Sequence, residues 1–576
     1  MPYGPGTVRT AGKEAGVLTY RFRRTIATAV VAAMVLSVLG LVGCQPAGQG
    51  DGEKSDEPAK GGTMTFFIVE PAFIDPYNAQ ESEGVQVVQA VFDSLTAIDP
   101  ISGKAIPAAA ASWEPNADAT VWTFKLVEGA KFHDGTPVTA KDFVYAFNRI
   151  ATSPNKIPDA ASEIAYHLSP IKGFDEAGEK GTDMAGVKAI DDMTLEITLS
   201  YSWGDFAYVL AHPAFGPVPQ AAVEKDPKAF ADMPVGNGPF KMAEPWKHDQ
   251  YVKVVADPDY YGDKPFIDGV DFTIFKDEET AFREFQAGTV DFTEIPQGQI
   301  QTSIETYGES KDGWTVNPGE QVLIGPEAAI YYYSFNVADP VMKDVKVRQA
   351  LSMAINRQAL ADTVYEGTRE PADSFIPKGM LGYEPGIWPE TTYDLEGAKK
   401  LLAEAGYPEG KGLPEIKINF NTGGGHEKPM ELISSDWAKL GIKTKSEGLE
   451  FPQHIDKMQS HKYQVGRAGW IADYPIMDNF TYPEFLSTSA DNWSGFKDLE
   501  VDAALEKARA TIDEDARIKA YQDIEKKIAA ASPVAPLVWY AHRHVGSERL
   551  NDFVYDNIGL GHFEKVWLTP EEPASK

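Results

Sequence analysis

From Gly62 the chain reads Thr-Met-Thr-Phe-Phe-Ile-Val, an apolar density that predicts a buried strand. Trp122-Thr-Phe-Lys-Leu126 alternates as a strand, and Ala130–Pro137 predicts a hairpin about an Asp134-Gly135 turn. Thr139-Ala-Lys-Asp142 has capping-box spacing and opens a helix that carries Phe143, Phe147 and Ile150 on one face. Strands are predicted over Thr194–Leu199, Val270–Phe275, Ile416–Phe420, 442–449 and Val534–Tyr540. Phe282–Asp291 predicts a helix, a glycine stop and a strand. Tyr331–Asn336 predicts a strand with a tyrosine on each face, one of which either packs or borders a cleft. Val345–Arg357 predicts a helix with Val347, Leu351, Ala354 and Ile355 inward, Asp394–Ala405 a helix stopped by Gly406, and Leu499–Ala531 a long helical region. Interleaved strands and helices of this kind predict an α/β chain.

One stretch carries more than an element. In Tyr463–Leu486 a short apolar strand pattern, Val465-Gly-Arg-Ala-Gly-Trp470-Ile-Ala472, ends in a lone carboxylate, Asp473, followed by Tyr474-Pro475. Gly466 and Gly469 would let another backbone approach, and an exposed edge there would accept an added strand. Asp473 would then stand at the end of that strand to take an ammonium, with Trp470 walling a side-chain pocket. The same pattern also fits an ordinary buried strand with a solvated Asp at its end.

Five basic residues (Arg9, Lys13, Arg21, Arg23, Arg24) precede the apolar run Ile26–Val42, which reads as a secretory leader rather than a membrane span. Leu41-Val-Gly-Cys44 resembles a lipoprotein cleavage box, placing the mature terminus and lipidation at Cys44. Cys44 is the single cysteine of the chain, so no disulfide framework forms and the thiol is free for lipidation. Residues 45–60 lack large apolar side chains and predict a tether letting the folded body range ~20 Å from a bilayer. The net charge of −32 disfavours nucleic acid and anionic lipid as partners, while 43% apolar residues support a core for two or three lobes.

No catalytic constellation emerges: H-E-x-x-H and a nucleophile elbow are both absent, so an enzyme is not expected. Asn421-Thr-Gly-Gly-Gly-His426 lacks the Gly-Lys-Ser/Thr of a phosphate loop, and His542 with His544 has no convincing third metal ligand, so neither a cofactor nor a metal is expected.

Several separated motifs resemble the family 5 extracellular solute-binding proteins, the receptor subunits of ABC importers, and in particular their oligopeptide-binding members. They are WTFKLVEGAKFHDGTPVTAKDFVYAFNRI from Trp122, Val235-Gly-Asn-Gly-Pro-Phe240, the Val347-Arg-Gln-Ala-Leu helix, and Arg467-Ala-Gly-Trp-Ile-Ala-Asp473-Tyr. The resemblance implies a two-lobed, periplasmic-binding-protein-like clamp (type II, the large class with an extra subdomain) that closes on a ligand. It implies a leader over 1–43, a tether over 44–61, and a first lobe over 62–94, 235–330 and 533–576. Residues 95–234 would form the extra subdomain and 331–532 the second lobe. An extended oligopeptide would lie along Gly469, Trp470, Ile471 and Ala472, with Asp473 on its ammonium and Arg467 on its carboxylate. Arg348 and Arg357 would brace their helix on neighbouring carbonyls or carboxylates, and Asp134, Thr139 and His133 would be structural or surface groups. Gln80 stands where some oligopeptide receptors carry a Glu, and Glu81 and Glu83 are near it without an assigned role.

The expected protein is thus a monomeric lipoprotein on the outer face of the cytoplasmic membrane, delivering short peptides to a separate permease and ATPase. The same family takes up oligosaccharides, nickel chelates and haem, which stand as alternatives, as does a peptide sensor.

Overall fold

The computed structural model describes residues 58–157, 161–422 and 425–570. The expected leader, the lipidation site at Cys44 and nearly all of the tether lie outside the described residues.

In chain order, strand β1 (Thr63–Ile68) leads to helix α1 (Ser82–Val91). Next come β2 (Ala110–Pro115), β3 (Val121–Leu126), helix α2 (Ala140–Ala151), β4 (Val187–Asp191) and β5 (Thr194–Thr198). The chain continues through β6 (Phe240–Met242), β7 (Tyr251–Ala256), β8 (Gly269–Ile274), α3 (Glu278–Gln286), β9 (Phe292–Glu294) and β10 (Val322–Leu323). The long strand β11 (Pro326–Phe335) is followed by α4 (Val345–Met353), α5 (Arg357–Val364), α6 (Leu395–Glu404), β12 (Ile416–Asn421), β13 (Thr444–Leu449) and α7 (Phe451–Gln459). Then come β14 (Val465–Ile471), α8 (Met477–Phe485), α9 (Leu499–Arg509), α10 (Glu514–Ala531), β15 (Val534–Ala541) and β16 (His544–Gly546).

Two mixed sheets organise the clamp. The first has seven strands in the order β10-β16-β9-β1-β8-β7-β6; β1 runs parallel to β8 from Thr63↔Gly269 to Ile68↔Ile274. Its alternating burial places Met64, Phe66 and Ile68 in one core, which continues without a break into the four-stranded β2-β3-β5-β4 unit and α2. The second sheet has the order β13-β12-β14-β11-β15. Its longest strand, β11, is apolar on both faces: Ile330 and Tyr332 enter one core, Tyr331, Tyr333 and Phe335 the other. All three tyrosines are fully buried, so none of them forms an exposed cleft wall.

The local grammar of the sequence is visible throughout. Thr139 and Asp142 form the capping box of α2, with Thr139 N and Oγ1 each 2.8 Å from Asp142 Oδ2. Asp394 caps α6, and Gly406 follows that helix at φ 94°. Arg357 donates from Nε to Pro536 O (2.6 Å) and from Nη1 to Ser352 O and Thr391 O (both 3.0 Å); Arg348 Nε donates to Ser532 O (2.9 Å). Burial pushes both guanidiniums down, Arg348 to about 10 and Arg357 to about 9, and the carbonyls are what hold them in place.

Four expectations change. The strand read at Val534–Tyr540 does not join the first lobe, as the resemblance implies: Val534–Ala541 is an edge strand of the second sheet, antiparallel to β11, and its faces are apolar on both sides, so either sheet suits the pattern. The first sheet regains the chain only at β16. The Asp134-Gly135 hairpin is a single bridge, Lys131↔Pro137, rather than a ladder. The helical region Leu499–Ala531 breaks at Ala510–Asp513, where Asp513 caps α10. His133 is no surface group: one ring nitrogen lies 3.0 Å from Gly238 O and the other accepts from Gly236 N at 3.3 Å, locking the α2 unit onto the Val235–Pro239 turn.

The sheets are joined by two short crossovers, Ile324-Gly325 and His542-Arg543, which run side by side with His542 N donating to Gly325 O at 3.0 Å. The lobes also meet away from these crossovers. Asp205 pairs with Arg517 at 2.6 Å, Tyr208 Oη donates to Glu514 Oε2 at 2.6 Å, and Gly204 N donates to Arg509 O at 2.6 Å. Among the described residues no helix is long and apolar enough to cross a membrane.

Candidate ligand-binding cleft

The strand β14 pairs with β11 over its whole length, from Val465↔Phe335 to Ile471↔Ala329. On its other side it pairs with β12 only at Ile418↔Val465 and Asn419↔Gly466, so among the described residues the edge beyond has no partner strand. Ala472 N donates inward to Ala328 O at 2.9 Å; by the two-residue period of a strand, the N–H and C=O of Gly469 and Ile471 face the open edge. Arg467 O, one step earlier on that edge, lies 2.9 Å from His454 Nε2 of α7. Ile471 is 70% exposed.

The glycines serve the protein's own packing. A Cβ at Gly466 would meet Met458 Sδ at 2.2 Å, and one at Gly469 would meet Tyr540 Oη at 3.1 Å and Arg467 Nη2 at 3.4 Å. Their lack of a side chain therefore admits α7 and a tyrosine–arginine contact, not an incoming backbone as expected from the sequence.

At the end of β14, Asp473 is fixed by three groups. Tyr166 Oη donates to Oδ1 at 2.7 Å, Asn479 Nδ2 donates to Oδ2 at 3.0 Å, and Asp473 N donates to Asn479 Oδ1 at 3.1 Å. Trp470 Nε1 donates to the same Asn479 Oδ1 at 3.1 Å, so the indole and the carboxylate are held by one buried amide at the start of α8. Burial and the Asp473 charge push Tyr166 well above its ordinary range, which keeps its hydroxyl a donor. His167 and His212 are pushed down to about 4 and about 3, both mainly by burial, and are neutral at pH 7.

Around Asp473 lies a cleft of about 190 Å³ that includes Gln80, Tyr166, His212, Ile471, Ala472 and Tyr474. A second hollow of about 260 Å³ adjoins it through Ser82 and is walled by Glu83, Glu278, Glu294, Phe292, His544 and Tyr555. Burial pushes Glu294 up to about 7 against the pull of Arg543, whose Nη2 is 2.6 Å from Glu294 and 2.9 Å from Glu278. Of the three residues left without a role, Gln80 donates to Tyr166 Oη at 3.4 Å, Glu83 faces the second hollow, and Glu81 is structural. Its carboxylate caps α1 and accepts from Ala72 N at 2.7 Å.

Arg467 reaches over the sheet rather than along its edge. Its Nη2 donates to Tyr540 Oη at 2.9 Å, its Nη1 to Asn421 Oδ1 at 3.3 Å, and its Cζ sits 5.0 Å from the Tyr331 ring centroid. Its buried Nε has no acceptor among the described residues. Sequence reasoning missed Tyr166 and Asn479. Asn479 is six residues past Asp473 and carries no distinguishing neighbour, and nothing local marks Tyr166. Among the described residues no group of three or more His, Cys, Asp or Glu could hold a metal.

A two-lobed α/β clamp with an acidic lip and an open strand edge in its cleft belongs to the class of solute-binding receptors. Residues 104–492 match the family model for bacterial extracellular solute-binding proteins, family 5, middle region. The chain is 30% identical over 556 residues to the oligopeptide-binding protein OppA of Bacillus subtilis, covering 94% of this chain and 99% of that protein. It is 28% identical over 560 residues to heme-binding protein A of Haemophilus influenzae, covering 92% and 98%. The unliganded open form of the murein tripeptide-binding protein MppA superposes with a TM-score of 0.78 at 28% identity, covering 88% of this chain and 97% of that one. The chain belongs to the family 5 extracellular solute-binding proteins. It is therefore the extracytoplasmic substrate-binding component of an ABC importer, and not an enzyme.

Proposed function

We propose that the solute is a short peptide with a free amino end, bound as an added strand on the edge of β14. The observation that carries this reading is the unpartnered edge over Gly469–Ile471 leading directly to Asp473. Ladder hydrogen bonds to Gly469 and Ile471 hold any main chain regardless of side chain, and Asp473 takes the ammonium. Each carboxylate oxygen has a second lone pair, so the Tyr166 and Asn479 contacts leave acceptor capacity for a third donor. Trp470 and Ala472 frame the first side chain, and Arg467 takes the carboxylate. The relatives named for oligopeptides and a murein tripeptide support the peptide class.

Ligand bridges two lobes that turn about the paired crossovers at Ile324-Gly325 and His542-Arg543, and closure is favoured by contacts that the open form lacks. The chain acts as a monomer, anchored through lipid at Cys44; a diacylglycerol mass increment on a mature chain beginning at that cysteine tests the anchor.

A second reading, haem as solute, is favoured by the similarity to heme-binding protein A along nearly the whole chain. Native mass spectrometry of protein purified from its own host separates the two. The peptide reading predicts heterogeneous masses of short peptides with free amino ends. A single haem mass, with its Soret absorbance, would replace it.

A further inference from the structure

A second, unassigned cation, Arg369, stands against the same tyrosine as Arg467. The segment after α5 runs along the outer edge of β15, with Trp539 N donating to Glu370 O at 3.2 Å and Pro371 bridging Val538. This fixes Arg369 beside Tyr540: its Cζ lies 4.1 Å from the Tyr540 ring centroid and 4.2 Å from that of Tyr365. Arg467 meets the same Tyr540 from the other side, donating to its hydroxyl at 2.9 Å. One tyrosine thus carries a guanidinium on its face and another at its tip.

Neither guanidinium has a carboxylate within 4.0 Å among the described residues, in a chain whose net charge is −32. Glu327, which feels the Arg369 charge, is itself committed to His542 at 3.3 Å, and the adjacent Glu370 is paired with Lys378 at 2.8 Å. The tyrosines and the histidine beside the pair are neutral at pH 7. Burial pushes the Tyr365 hydroxyl up to about 12, raises Tyr331 and Tyr333 further, and pushes His426 down to about 3. Arg369, Arg467 and Tyr540 are all partly exposed, so the pair is accessible to solvent. Two unneutralised guanidiniums so close together repel one another, and their mutual cost is relieved by an anion carrying two charges. A single α-carboxylate occupies one planar fork and leaves the other unmatched.

The geometry points to Arg369 and Arg467 together forming a subsite for a dianionic chain end, that is, for peptides whose last residue is Glu or Asp. Arg467 takes the α-carboxylate beside Gly469, and Arg369 takes the side-chain carboxylate. The inference rests on the peptide reading above. From Gly469 to Asp473 is four strand steps, ~13 Å, the reach of an extended tri- or tetrapeptide.

Isothermal titration calorimetry at 150 mM salt with Ala-Ala-Glu, Ala-Ala-Gln, Ala-Ala-Ala-Glu and Ala-Ala-Ala-Gln tests it. The wild-type protein is expected to bind the Glu-ended peptide at least tenfold more tightly than its Gln-ended partner in at least one length. Arg369→Gln is expected to bring the two within twofold, and Arg369→Lys to retain part of the preference. Equal affinity of the wild type for Glu- and Gln-ended peptides overturns the inference with no variant needed and leaves the peptide reading standing. An undiminished preference in folded Arg369→Gln also overturns it. Failure of all four peptides to bind the wild type overturns the peptide reading and the subsite with it.

Discussion

Tyr166 and Asp473, 307 positions apart in the chain, meet at 2.7 Å across the mouth of the cleft. The hydroxyl comes from the unit built on the four-stranded sheet and the carboxylate from the end of β14 in the second sheet. The proposed ammonium anchor is therefore also a point at which the two sides of the clamp touch.

Removing that hydroxyl while keeping the ring isolates the contact. Tyr166→Phe is expected to weaken binding of a free-amino peptide by ~2- to 12-fold, the range of one ordinary hydrogen bond, with the melting temperature nearly unchanged. Calorimetry on both proteins checks it. Tighter binding in the variant would mean that the tyrosine competes with the ligand rather than closing over it.

Asn479 holds the anchor and the indole together, so its loss should register twice. Asn479→Ala strands Asp473 N–H and Trp470 Nε1 and is expected to cost about 1–3 kcal/mol in unfolding free energy, together with weaker peptide binding. Urea melts and calorimetry measure the two effects; an unchanged midpoint would show that water replaces the amide.

Buried acids give the protein an uncommon pH dependence. Burial pushes Glu484 up to about 8, against the Tyr332 hydroxyl that donates to it; Asp205 and Glu525 are raised to about 7 by the same cause. Between the ordinary carboxylate range and these raised values, the folded protein keeps protons that the unfolded chain releases. Stability therefore falls as pH rises through that window, by up to about 1.4 kcal/mol per pH unit per group. Melting temperatures are expected to be higher at pH 5 than at pH 8. Glu484→Gln should gain on the wild type as pH rises, and a difference between the two that is constant across pH would remove Glu484 from the account.

The turn Val235–Pro239 is set by a close approach. A Cβ at Gly236 would stand 2.0 Å from Val91 O, the backbone at the end of α1. Gly236→Ala is expected to destabilise by about 1–3 kcal/mol, the range for overpacking. A melting temperature within a degree of the wild type would show that the turn moves freely.

What could be read in the sequence was local. The Thr139–Asp142 box, the Gly406 stop and the inward face of α2 depend on neighbours within one or two turns, and they stand in the structure as read; the helix expected over Val345–Arg357 instead ends at Met353 and restarts at Arg357, with Ala354 and Ile355 buried in the break. Sheet membership of Val534–Ala541 was not readable, because a strand apolar on both faces suits the centre of either sheet. The cleft was half readable. The run ending in Asp473 stands out by pattern, whereas Tyr166, Asn479 and the stacked Arg369 are ordinary in sequence and acquire their places only through contacts across the fold. The two glycines of β14 were noticed for the right property and given the wrong neighbour, since spacing says that room is needed and not what fills it.

Whether Asp473 takes the ammonium of an extended peptide is decided by the affinity of the wild-type protein for one peptide with its amino end free and acetylated. Losing a desolvated charge pair of this kind costs about 2–5 kcal/mol, so acetylation is predicted to weaken binding by ~30-fold or more. Equal affinity for the free and acetylated forms would contradict the account.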